Sequence, residues 1–377
     1  MVNNLYGGLV DTLAHLIQRH VDDGTIPGAV GLLGGEDAEP VAIGRMAYEG
    51  APMEPDAIVR IQSMTKIITS VAALRLVEAR RLGLDDPVDR WLPELADRRV
   101  LVRPDAELDD TVRAREPISV RHLMTNRAGY GAIFADSPLH RAMINNQTEP
   151  SADPLTLGAD EWVAALAELP LAHQPGAGWR YHHSYALLGV LLSRLTGGPL
   201  GDHLSADLFS RLDMVDTAFW VPTEKLPRLP AAYRHLEAGP IETESAGGGF
   251  HAGPPPFDIS HGELVSTLDD FRRFLTALMA DTLINEDHLA ALRSDQVPPT
   301  AKGPDSFYPG FWDRTGWGYG VSVVTDGPHR GRFGWSGGQG TDFFVDPDGT
   351  IGILLTQVEM GERLFPVLGE FHELTVA

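Results

Sequence analysis

A serine and a lysine three residues apart, Ser63 and Lys66, are the pair in this sequence best suited to covalent chemistry. Of the 30 lysines and arginines only Lys66, Lys225 and Lys302 are lysines, so the chain writes most of its positive charge as arginine. The distinction matters because a guanidinium stays protonated, whereas a desolvated amine can lose its proton and act as a base. An unperturbed lysine is neutral in only about 0.04% of molecules at pH 7, so such a role needs an environment that lowers its pKa.

The flanking sequence supplies both a geometry and a lowering field. From Ile67 the apolar residues Ile67, Ile68, Val71, Ala72, Leu74, Leu76 and Val77 recur near every third or fourth position. With no internal glycine or proline before Gly83, they predict a largely buried helix of about 18 residues. Positions i and i+3 stack on a helix, which brings the amine to the hydroxyl. The positive end of the helix dipole also disfavours an ammonium there.

Elsewhere the pattern alternates between sheet and helix. Leu9 to His20 reads as a helix, IPGAVGLLGG and PVAIGRMAYEG as two strands turning at Glu36-Asp37, and the charged, proline-rich stretch 83–117 as a solvated connection. Four helical patterns follow (ISVRHLMTNRAG, DEWVAALAELP, SYALLGVLLSRLTGG, DHLSADLFSRLDM), then a glycine- and proline-rich stretch, a helix at TLDDFRRFLTALMA, and strands WGYGVSVVTDG, GRFGWSGG, TDFFVDPDG and TIGILLTQV. A helix at ERLFPVLGEFHELT comes last. Strands at both ends with helices between predict an α/β (α+β) protein with an antiparallel sheet flanked by helices. The expected division is a mixed lobe from 1–82 and 241–377 and a mainly helical lobe from 83–240, with the site in the cleft between them.

Composition narrows the partners. A net charge of −22 and no local basic cluster argue against nucleic acid and acidic membrane surfaces. The absence of cysteine excludes disulfides and thiolate metal sites. No histidine or carboxylate spacing matches a metal motif, so neither metal nor cofactor is expected. No leader or long apolar run stands in the sequence, which suggests a cytoplasmic protein acting on a small molecule.

IPGAV, Ser63-Met64-Thr65-Lys66, ISVRHLMTNRAG, PGAGWRYHHSYALLGVLLSRLTG, LFSRLDMVDTAF, GELVSTLDDFRRFL and WGYGVSV, in that order, resemble the serine β-lactamase-like hydrolases. That group includes class C β-lactamases, D-Ala-D-Ala peptidases and the family VIII carboxylesterases. The resemblance implies Ser63 as nucleophile, Lys66 as its partner, and Tyr181 as the second acid/base, phenol and amine each lowering the other's pKa. It also implies an oxyanion hole from the backbone N–H groups of Ser63 and Gly338.

Two positions depart from the family. His183 stands where asparagine or serine is usual, and could hydrogen-bond Lys66 or a substrate carbonyl. His182 is expected to point away. Trp335-Ser336-Gly337-Gly338 replaces the Lys-Thr-Gly strand of β-lactamases. Tryptophan cannot bind a carboxylate as lysine does, which favours neutral esters or lactones over β-lactams and cell-wall peptides. Acyl transfer and amide hydrolysis are the alternatives within the enzyme class, and a non-catalytic ligand-binding protein the alternative outside it. Tyr130, Phe250, Trp312 and Trp317, with Trp335, Ser336 and Gly337, are candidates to line the pocket. Gly334 to Gly338 also reads Gly-x-Ser-x-Gly, with Asp346 and His372 following, but an elbow nucleophile needs a helix directly after it, and strand is expected there.

Overall fold

The structure, a computed structural model, describes residues 3–35, 37–150, 155–260, 262–304 and 306–374, with the backbone alone for 3–11. Helix α1 (Asn3–Asp22) buries Leu13, Leu16 and Ile17 at the spacing the sequence shows, while the side chains of Leu9 and Val10, and Glu36 of the expected turn, lie outside the described residues. It leads into strands β1 (Gly28–Gly34) and β2 (Val41–Gly44). Helix α2 (Thr65–Glu78) follows Ser63, buried on almost every side because it runs through the main core. It stops short of Gly83, where Arg80 takes a left-handed φ of 56°. Helix α3 (His183–Thr196) packs against it and ends on left-handed Gly197.

Helix α4 (Leu268–Met279) precedes the last strands: β3 (Thr315–Trp317), β4 (Ser322–Val324), β5 (Phe333–Gly337), β6 (Thr341–Val345) and β7 (Ile351–Leu355), before helix α5 (Phe365–Glu373). Among the described residues β1 to β7 form one antiparallel sheet in the order β2-β1-β7-β6-β5-β4-β3, so both ends of the chain build it. Since side chains alternate along a strand, Phe333, Trp335, Phe343 and Val345 face α2 and α4, while Ser336, Asp342 and Phe344 face α1 and α5.

Three segments differ from expectation. WGYGVSV is a hairpin rather than one strand, with Ser322 opposite Trp317 and Gly320 at φ 82° in the bend. A side chain at Gly320 would meet Lys66 O at 2.8 Å and Ser70 Oγ at 2.7 Å, so its absence lets the hairpin press on the Lys66 helix. The stretch 83–117 is anchored rather than solvated throughout: Val88, Leu92, Leu95 and Val100 are buried, and Arg99–Leu101 pairs with Thr111–Arg113. Its charges and prolines hid this, because they sit on the exposed side of short turns too brief for a period to register. A hairpin of Ala232–Leu236 with Gly239–Glu244 was also unforeseen. No helix among the described residues is long and apolar enough to cross a membrane.

Candidate active site

Ser63 sits in a single 3-10 turn, Gln62–Met64, directly ahead of α2. Gln62 is left-handed at φ 49°, an unusual state for a residue with a side chain that costs roughly 1–3 kcal/mol. The surroundings hold it. Thr341 Oγ1 donates to Ile61 O at 3.1 Å, Ile61 N donates to Leu264 O at 3.0 Å, and Leu264 N donates to Thr65 Oγ1 at 3.2 Å. Gly337 is packed so closely against Ile61 O that any side chain there would collide with it. Gly338, the next residue, stands beside Gln62, so the far strand and the serine turn form one rim.

Lys66 is fully buried, and its Nζ lies 2.9 Å from the half-buried Ser63 Oγ and 4.5 Å from the centre of the Tyr181 ring. Burial drives its pKa well below the usual lysine range, opposed in part by the Glu263 carboxylate. Tyr181 comes from the segment before α3, where Tyr181 O accepts from Ala132 N at 2.9 Å and His182 takes a strained φ of 99°. Its phenol is hydrogen-bonded to Ser63 and accepts the indole N–H of Trp335 at 2.6 Å. Burial raises its pKa above the ordinary phenol value, against the pull of those two bonds. The expectation that both groups would be lowered is therefore corrected for Tyr181: the nearby amine is itself desolvated toward neutrality and offers little charge to hold a phenolate. An amine with a lowered proton affinity and a neutral phenol meet at the Ser63 hydroxyl.

Trp335 thus has a function the sequence did not disclose, orienting the phenol. Around the two lies an aromatic wall of Trp179, Phe307, Phe311, Trp312 and Trp317, with Trp317 buried 4.7 Å from Trp335 and Trp179 stacked 6.0 Å from Tyr181. Trp179 and Phe307 escaped the sequence reading. The density of rings in Phe307-Tyr308-Pro309-Gly310-Phe311-Trp312 was the available signal.

Four candidates make their contacts away from the Ser63 hydroxyl. His183 is 1% exposed, stacks on Trp162, and donates Nε2–H to Thr148 O at 2.7 Å, so it anchors a loop inside the helical layer. Burial lowers its pKa to about 4 and keeps it neutral. Tyr130 is buried in the main core with its hydroxyl donating to Leu169 O. Phe250 lies in a short turn against His251, its amide donating to Glu244. Ser336 faces the opposite side of the sheet, where its hydroxyl donates to Asp342 at 2.5 Å and Asp342 in turn meets His372 Nε2 at 3.1 Å. Strand alternation sends Ser336 away whenever Trp335 points inward, which also removes it as an elbow nucleophile. Asp346, its supposed partner, binds Arg332. Among the described residues no group of three or more His, Cys, Asp or Glu side chains could hold a metal ion.

Ser63, Lys66 and Tyr181 thus meet at one hydroxyl beside the Gly337–Gly338 rim. The family model described as Beta-lactamase matches residues 13–366. Protein Rv1367c of Mycobacterium tuberculosis is 33% identical over 358 residues, covering 90% of this chain and 87% of that one. Esterase EstB of Burkholderia gladioli is 31% identical over 336 residues, covering 81% and 78%. Among solved structures, EstCE1, described as a hydrolase with promiscuous acyltransferase activity, superimposes with a TM-score of 0.80 at 25% identity over 99% of both chains.

Proposed function

The chain belongs to the β-lactamase family, and from that premise we propose that it is a serine carboxylesterase working through an acyl-enzyme on Ser63. One observation carries the reading: the fully buried Lys66 amine, 2.9 Å from Ser63 Oγ, with a neutral phenol on the same hydroxyl. In the first step Ser63 Oγ bonds to the ester carbonyl carbon while its proton passes to Lys66 Nζ. The carbonyl oxygen becomes an oxyanion facing the amides of Ser63 and Gly338. On collapse the carbon–oxygen bond to the alcohol breaks, and the alcohol leaves with the proton relayed from Lys66 through Tyr181. Water then adds to the acyl carbon and gives a proton to Lys66; the bond from that carbon to Ser63 Oγ breaks, Oγ takes the proton from Lys66, and the acid leaves.

Lys66 is the base in this scheme, because a phenol above its usual pKa stays protonated and can relay a proton but not begin by accepting one. Trp335, where a β-lactamase strand would carry lysine, gives an uncharged wall bonded to the phenol, which supports neutral esters as substrates. Acyl transfer to an alcohol is the same cycle with an alcohol in place of water, and the description of EstCE1 favours it as the second reading.

The decisive experiment is incubation with a chromogenic short-chain ester and, separately, a chromogenic β-lactam, followed by mass analysis of the Ser63 peptide. Turnover of the ester and an acyl increment on that peptide are expected. Absence of both turnover and adduct removes the enzyme reading, and faster turnover of the β-lactam reverses the substrate assignment.

A further inference from the structure

Beyond Tyr181 the rings continue outward. Phe307 packs 5.2 Å from Tyr181 and 6.2 Å from Trp335, and its far side meets Phe134 at 6.0 Å and Tyr308 at 4.9 Å. The row starts at the buried phenol and ends at Phe134, 65% exposed, and Tyr308, 56% exposed. Phe365 and Trp220 are exposed as well, but Phe134 and Tyr308 continue a row of rings that starts at the reactive group, and contiguous exposed apolar patches mark binding sites.

Both outer rings rest on anchored backbone. Phe134 follows Ala132, whose N–H is tied to Tyr181 O and whose carbonyl accepts from Arg180 at 3.3 Å. The segment bearing Phe307 and Tyr308 is fastened by Ser306 Oγ donating to Gly303 O and accepting from Trp312 Nε1, and by the Lys302–Asp295 ion pair. The rings therefore form a prebuilt surface assembled from two segments far apart in the sequence.

The position of that surface selects its occupant. In the tetrahedral intermediate the oxyanion faces the Ser63 and Gly338 amides, while the departing oxygen faces Tyr181, which returns its proton. Rings extending outward from Tyr181 thus meet the alcohol half of the ester. We propose that Phe134, Phe307 and Tyr308 form a leaving-group subsite for flat, apolar alcohols, and that the same surface receives such an alcohol when it replaces water as acyl acceptor. The inference rests on the carboxylesterase reading and adds the class of alcohol.

The test uses two butanoate esters whose alcohols are similar in acidity, naphthalen-2-ylmethyl butanoate and ethyl butanoate, so that ring contact rather than leaving-group strength is read. The wild-type kcat/KM ratio is expected to favour the naphthylmethyl ester by about tenfold, the worth of one or two aromatic contacts. Phe134→Ala should cut that ratio about fivefold, whereas Phe365→Ala, an exposed ring on α5, should leave it unchanged. A wild-type ratio near one, or a ratio untouched by Phe134→Ala, overturns the subsite while leaving the esterase standing. Conversion of a dimer to a monomer by Phe134→Ala with the ratio intact makes the patch a contact between copies and also overturns it. No turnover of either ester and no acyl adduct on Ser63 removes both readings together.

Discussion

Strand β5 carries a serine cluster on each side of the sheet, and only one has the makings of a catalyst. On one face Trp335 holds the Tyr181 phenol against Ser63 and Lys66. On the other, Ser336, Asp342 and His372 include the residue types of a hydrolase triad in the wrong connection: the serine donates to the carboxylate, and the histidine meets that same carboxylate, not the serine. In a triad the imidazole takes the nucleophile's proton, and here His372 meets the carboxylate instead of Ser336. Asp342 is fully buried and ties α5 to the sheet. The lesson is that the order of contacts, rather than the inventory of side chains, separates a candidate site from a structural clip.

The sharpest way to break this contrast is to remove each hydroxyl. Ser63→Ala should lower kcat on a short-chain ester by about 10⁴ to 10⁶. If Ser336→Ala produced that loss instead, the assignment of the two faces would be reversed. Next in size is Lys66→Arg, which keeps a cation but removes a titratable amine, and should cost about 10³ in kcat. Near-normal turnover in this variant would show that Lys66 is not the base. In the wild type, activity should rise with pH as Lys66 loses its proton, at a pH well below the usual lysine range, and should show no phenol limb until above 10, since Tyr181 is shifted upward.

Smaller effects sharpen the same comparison. Trp335→Phe keeps the ring and loses the N–H donated to Tyr181, so kcat should fall about tenfold with KM nearly constant. Ser336→Ala should change kcat little but lower the denaturation midpoint, by about 1–2 kcal/mol in unfolding free energy, because a hydrogen bond to a buried carboxylate is lost. His183 gives a pH signature of its own. The unfolded chain protonates it near 6.5 and the native state resists until about 4, so stability should fall as pH drops through that window, by up to about 3 kcal/mol. Urea midpoints measured between pH 7 and 4 should lose part of this slope in His183→Asn.

Much of the site was legible because helical spacing is local. Ser63 and Lys66 are adjacent on a helix start whatever the rest of the chain does, and a lysine-poor composition made the amine conspicuous. Tyr181 was reached through a family pattern, and the structure brings it to the same hydroxyl. His183 was misread because sequence places it two residues from Tyr181 but says nothing of rotation. As the first residue of α3 it turns inward against Trp162, while strained His182 makes the bend. The stretch 83–117 was misread for the opposite reason, its buried residues being scattered through turns.

The sequence by itself determined that a serine and a lysine three residues apart stand at the head of a buried helix, that sheet and helix mix, and that no lysine occupies the far strand. These follow from spacing, period and residue type, which act over a few residues. Tertiary structure alone decided the rest: that Trp335 donates to Tyr181, that the phenol is neutral, that Ser336 faces away, and that Phe134 meets Phe307. Each depends on which distant segments come within hydrogen-bond or ring contact and how much water they exclude, and burial sets the proton affinities of Lys66 and Tyr181 in opposite directions.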